Sequence, residues 1–168
     1  MSQLEALHKH LKTRVEREQR EALLRTSKSL RWADAVRDLH ASIQKWLAPM
    51  VADNLVTFTS ANVKRVELSG TSEECSYFVP ELTIELRKCP PIVVSPGPIF
   101  DDFGGRGFGE AVVVITDADG ALGYLHSDSL QLIDWKISTE DRAQYPLNVD
   151  TFAYFLMQVV ECAEEEAR

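Results

Sequence analysis

The chain has 168 residues, 45% hydrophobic and 26% charged, with a formal net charge of −8, values that suit a packed globular domain and exclude a disordered or fibrous chain. Its longest apolar runs, Ala111 to Ile115 and Phe152 to Met157, fall far short of the roughly 20 residues that cross a bilayer. The charge is uneven: residues 1–48 carry ten Lys or Arg against six Asp or Glu, a balance of +4, and residues 49–168 carry eight against twenty, a balance of −12.

From Leu4 onward, Leu7, Leu11, Val15, Ala22 and Leu23 recur at helical spacing, and the pattern predicts an amphipathic helix over residues 3–26. Glu16 and Arg20 stand at the i,i+4 spacing of an exposed ion pair. Thr26-Ser27-Lys28-Ser29 then offers hydroxyls suited to cap a second helix, expected to start near Leu30. Trp32, Val36, Leu39, Ile43, Trp46 and Leu47 give that helix a tight apolar stripe, and Pro49 with Asp53-Asn54 is expected to end the helical region within residues 48–53.

Beyond it the period changes to that of strands. Val56 to Thr59, Val63 to Leu68 and Tyr77 to Leu86 are rich in β-branched and aromatic residues, with Leu82, Ile84 and Leu86 alternating with Thr83, Glu85 and Arg87. Ile92-Val93-Val94 sits between prolines, which predicts an edge strand. Glu110 to Thr116 and Leu122 to His126 flank Asp117-Ala118-Asp119-Gly120, the residues of a tight hairpin. A strand with a bulge at Ile133-Asp134 is expected across Leu130 to Ser138, and Asn148, with Leu147 and Phe152 as a hydrophobic staple, is expected to start a last helix.

The expected fold is therefore a single α+β domain over residues 1–168, with a helical region at 1–53, an antiparallel sheet at 54–138 and a C-terminal helix at 147–163. An N-terminal helical hairpin and the C-terminal helix pack on one face of a mainly antiparallel sheet of five or six strands. The N-terminal segment lacks a secretory signal, and three cysteines without a C-x-x-C pair fit free thiols, so a cytoplasmic location is expected.

No stretch carries a decisive catalytic pattern. Phe103-Gly104-Gly105-Arg106-Gly107-Phe108-Gly109 lacks the lysine of a phosphate loop and leads into a β-type run, so a glycine-permitted loop or bulged strand entry explains it. Asp117-Ala118-Asp119-Gly120 places its glycine at the fourth position of a calcium loop instead of the sixth. His126-Ser127-Asp128 has the residue types of a hydrolytic triad, but adjacent residues of one strand do not converge. His8 and His10 diverge on a helix, and no metal or cofactor is expected.

These readings lead to a non-enzymatic protein-binding module, of the kind represented by an immunity or antitoxin-like protein, a chaperone or an accessory subunit. Candidate partner-binding residues are Lys9, Lys12, Arg20, Asp101, Asp102, Gly105, Arg106 and Phe108, with self-association through the N-terminal helices as a further expectation. The alternatives are a small hydrolase or metal-dependent nuclease using loop carboxylates around Asp101, Asp102 and His126, and nucleic-acid binding by the basic helices. Interleaved Glu5, Glu16, Glu18 and Glu21 dilute the positive field that a nucleic acid would need.

Overall fold

The computed structural model describes residues 3–100, 110–139 and 143–166, the last three without their side chains. Its first element is one helix, α1 (Gln3–Trp46), followed by the single turn α2 (Ala48–Ala52). Among the described residues a seven-stranded antiparallel meander follows: β1 (Val56–Glu67), β2 (Cys75–Leu86), β3 (Ile92–Pro96), β4 (Ala111–Thr116), β5 (Ala121–Ser127), β6 (Lys136–Ser138) and β7 (Gln144–Pro146). The last element is α3 (Val149–Glu166). Among the described residues, no helix is long and apolar enough to cross a membrane.

The α+β character and the antiparallel sheet match expectation; the helical hairpin and the strand count do not. Thr26 to Ser29 do not break the first helix. The Thr26 hydroxyl donates back to the Ala22 carbonyl at 3.1 Å and the Ser29 hydroxyl to the Thr26 carbonyl at 2.9 Å. Hydroxyls bonded this way leave the helical backbone ladder in place, and no glycine or proline is present to interrupt it. Pro49 does mark the boundary expected of it, since the chain turns at Leu47 and the helical region ends at Ala52.

The β1–β2 ribbon keeps one register from Val56↔Leu86 to Glu67↔Cys75. Near the first end the even positions Val56, Leu82 and Ile84 are buried, and near the other end the odd positions Glu67, Tyr77 and Val79 are buried. With no slip in register, the change of buried side comes from the twist of a long two-stranded ribbon. Pro80 sits near that change, beyond the Leu82–Ile84 stretch that pairs with β3, where a missing N–H costs no ladder bond on that side.

β3 is not an edge strand: it lies between β2 and β4. Its flanking prolines occupy the strand's margins, Pro91 just before it and Pro96 as its last residue. The expected strand over Leu130 to Ser138 is reduced to β6. Ser129 Oγ accepts from Gln131 N at 3.0 Å, Ser127 Oγ from Asp134 N at 3.0 Å and the Glu110 carboxylate from Leu130 N at 3.0 Å. Side chains thus take up backbone donors that a ladder would have used. The seventh strand, β7, has only three residues, all exposed, and no periodicity to reveal it.

The hairpin and the last helix start as their residues dictate. Asp117 Oδ1 accepts from Asp119 N and Gly120 N at 2.9 and 3.0 Å, and Gly120 takes φ +146° at the tip. Asn148 Oδ1 accepts from Asp150 N and Thr151 N at 2.9 and 3.0 Å, satisfying two free donors of the first turn of α3.

The core joins the second half of α1 and the inner face of α3 to the sheet. Trp32, Val36, Ile43, Phe152 and Phe155 are buried together with Leu82, Ile84, Ile115 and Leu125. Trp46 stands 6.0 Å from Phe152 between ring centres, and Trp32 stands 6.2 Å from Trp135. α3 comes so close to the sheet at Gly123 that a Cβ there would lie 3.0 Å from both the Phe155 ring and the Ser138 carbonyl. Gly123→Ala is expected to lose about 1–3 kcal/mol in urea unfolding, because a backbone carbonyl cannot swing aside as a flexible side chain can; an unchanged midpoint would refute the close contact.

Candidate functional site

Residues 3–24 of α1 are exposed at every position. At 1.5 Å per residue this makes an arm of about 33 Å standing clear of the folded body. The arm carries Leu4, Leu7, Leu11 and Val15 at relative exposures of 76%, 54%, 51% and 50%.

These four residues belong to a longer stripe. Steps of three, four or seven residues lead from Val15 through Ala22 and Ser29 to Ala33, Val36, His40 and Ile43, and all of these from Ser29 onward are buried. At about 100° per residue, Leu4 and His40 point in the same direction. One helical face is therefore buried in its second half and half or more exposed along Leu4 to Val15 in its first.

The arm is held by local bonds. Arg14 pairs with Glu18 at 3.0 Å and Arg17 with Glu21 at 3.9 Å, in place of the expected Glu16–Arg20 pair. Exposed i,i+4 pairs contribute only about 0.3–0.5 kcal/mol each. Such a segment is marginal in water by itself and gains most from a partner for its apolar face.

The charged residues around the stripe are sorted by the helix. His8 and Lys12 border Leu4–Val15 on one side and Arg14, paired with Glu18, on the other, and Glu18 itself falls between Leu7 and Leu11 around the helix. Of the expected binding residues, Lys12 thus adjoins the leucines. Lys9 and Arg20 lie about 140–160° round the helix from Leu4, on the far side. All three are exposed. Asp101, Asp102, Gly105, Arg106 and Phe108 lie outside the described residues. Arg14 and His8 were absent from the sequence-based set, although their positions relative to the leucines could have placed them in it.

The base of the arm is tied to the body by a buried carboxylate. Glu67, the last residue of β1, accepts from Ile99 N at 3.0 Å, from Phe100 N at 2.6 Å and from the Tyr77 hydroxyl. Lys28 of α1 donates to the Ile99 carbonyl at 2.9 Å, its ammonium 5.4 Å from the centre of the Phe100 ring. Arg65 donates to the Pro96 carbonyl on the same side of the ribbon. Burial, and then the bond to Glu67, raise the Tyr77 phenol well above its ordinary value, so it stays a neutral donor. The cluster fixes the chain just ahead of Asp101 and locks α1 to β1 and β2.

His126 and the two residues that follow it have separate partners. His126 is buried with Nε2 at 2.8 Å from Ser138 Oγ, while the Ser127 hydroxyl donates to the Ser129 carbonyl at 3.1 Å. Asp128 is exposed and accepts from Lys136 Nζ at 2.7 Å; that bond and charge hold its carboxyl below the usual range and the Lys136 ammonium above its own. Among the described residues, no three His, Cys, Asp or Glu side chains come together as a metal site. Cys75, Cys89 and Cys162 are free thiols, and burial raises that of Cys75.

No protein-family model matches the chain, and no curated protein or solved structure matches it.

Proposed function

We propose that the chain is a non-enzymatic protein-binding module whose docking element is the helical arm of residues 3–24. The observation that supports this reading is the Leu4–Leu7–Leu11–Val15 face, half or more exposed along a helix that buries the same face further on. A row of leucines exposed to water is costly to keep and suits the apolar seam of a helix-in-groove complex. Lys12 borders that seam on one side and the Arg14–Glu18 pair on the other, so the fitting partner presents an apolar strip with an acidic margin beside Lys12. An accessory subunit or an immunity-type protein, bound to its partner through one projecting helix, is the corresponding class.

The test is a pair of substitutions, Leu7→Glu and Leu11→Glu, in the full-length chain. Both side chains are more than half exposed, so stability in urea is expected to stay within about 0.5 kcal/mol of the parent. Affinity purification from extracts of the cells that make the protein is expected to recover a defined partner with the parent and to lose it with the double variant. Recovery of the same proteins by both chains would remove the arm as the docking element.

A further inference from the structure

The arm has a complementary surface within the same sequence. α3 turns Phe152, Phe155 and Leu156 inward, and on its outer side Tyr154 and Met157 are exposed at 62% and 59%. Asp150, four residues before Tyr154, and Glu161, four residues after Met157, are both exposed and stand at either end of that pair. The helix contains five acidic residues and no Lys or Arg. An apolar strip with acidic ends suits the leucine face, whose margins carry Lys12 and, in a pair with Glu18, Arg14.

We propose that the occupant of the arm is a second copy of this chain, bound with the Leu4–Val15 face of one copy against the Tyr154–Met157 face of the other's α3. The proposal rests on the reading of the arm as a docking element and names its partner. Within one chain the contact cannot form, since α1 runs without a break from the arm into the core and carries the arm away from its own body. Two arms laid against each other are the competing arrangement, but each arm carries Glu5 and Glu18 beside Lys12 and Arg14, with Arg14 already paired to Glu18, so an arm offers less opposite charge than α3 with its five acidic residues and no Lys or Arg. The arm and α3 bring opposite charges together. Because the contact joins two different patches, it closes when each copy lends its arm to the other.

Sedimentation of the full chain across a concentration series tests this with a charge swap. Lys12→Glu with Arg14→Glu reverses the arm, and Asp150→Lys with Glu161→Lys reverses α3. Circular dichroism checks that both variants keep their helix content. Each variant alone is expected to self-associate at least about tenfold more weakly than the parent, and an equimolar mixture of the two to associate again, because each arm then meets an α3 of opposite sign. Association of the parent is also expected to weaken as salt rises from 0.1 to 0.5 M.

A parent chain that stays monomeric up to about 100 μM overturns the proposal. So does self-association that the arm reversal changes and the α3 reversal does not, which would identify arm-to-arm pairing. If the parent is monomeric while Leu7→Glu with Leu11→Glu still loses a captured partner, the docking role of the arm stands and only the second copy is removed.

Discussion

Replacing Glu67 with alanine is expected to destabilise the fold by about 3–5 kcal/mol, one of the two largest effects foreseen for a single side chain. The carboxylate is buried and accepts from two backbone amides, Ile99 N and Phe100 N, and from the Tyr77 hydroxyl. Alanine leaves all three donors without that acceptor, and each buried donor so orphaned costs about 1–3 kcal/mol. Glu67→Gln is expected to fall in between, since its amide keeps one acceptor oxygen but turns donor hydrogens toward other donors. Urea unfolding decides the size of the loss. Adding Tyr77→Phe to Glu67→Ala should recover about 1 kcal/mol by removing one of the stranded donors. A loss below about 1 kcal/mol for Glu67→Ala would mean that the Gly97–Phe100 segment finds other acceptors and that the carboxylate is not its anchor.

That anchor shows where sequence reading stops. Glu67 is one acid among twenty-six Asp and Glu, and nothing local distinguishes it; its role depends on Ile99 and Phe100, over thirty residues away. The hairpin at Asp117–Gly120 and the Asn148 cap were legible because their chemistry is contained within a few residues. Thr26 to Ser29 were misread because a hydroxyl can cap a new helix or bond back into an existing one, and the choice is made by tertiary contacts. Ser29 is buried and Lys28 reaches the Ile99 carbonyl, so the continuous helix is the form that the body holds. The misreading carried over to the site. With a hairpin, Leu4 to Val15 would have been covered by the second helix; with one long helix they are left exposed. The basic residues of the arm could be read from the sequence, while their sorting around an open leucine face, and the exposure of Tyr154 and Met157 on α3, could not.

Stability should also fall between pH 6.5 and pH 4 through one buried histidine. His40 lies on the core side of α1, 4% exposed, and neither ring nitrogen has a hydrogen-bond partner among the described residues. Burial disfavours the imidazolium and lowers its pKa from 6.5 to about 4. Above pH 6.5 the ring is neutral in both folded and unfolded chains, and the full stability is present. As the pH falls below 6.5, the unfolded chain takes up a proton that the folded chain refuses, so stability declines until the folded pKa near 4 is passed. At about 1.4 kcal/mol per pH unit, that window is worth roughly 3 kcal/mol. His40→Leu keeps a similar volume and removes both the titration and two unsatisfied nitrogens. The variant should exceed the parent by about 1 kcal/mol at pH 7.5, and the gap should widen by roughly 3 kcal/mol by pH 4. Urea unfolding of both proteins at half-unit pH steps measures the gap directly. Carboxylates common to the two chains cancel in the difference, so parallel curves would show that His40 gains its proton in the folded state as readily as in the unfolded one.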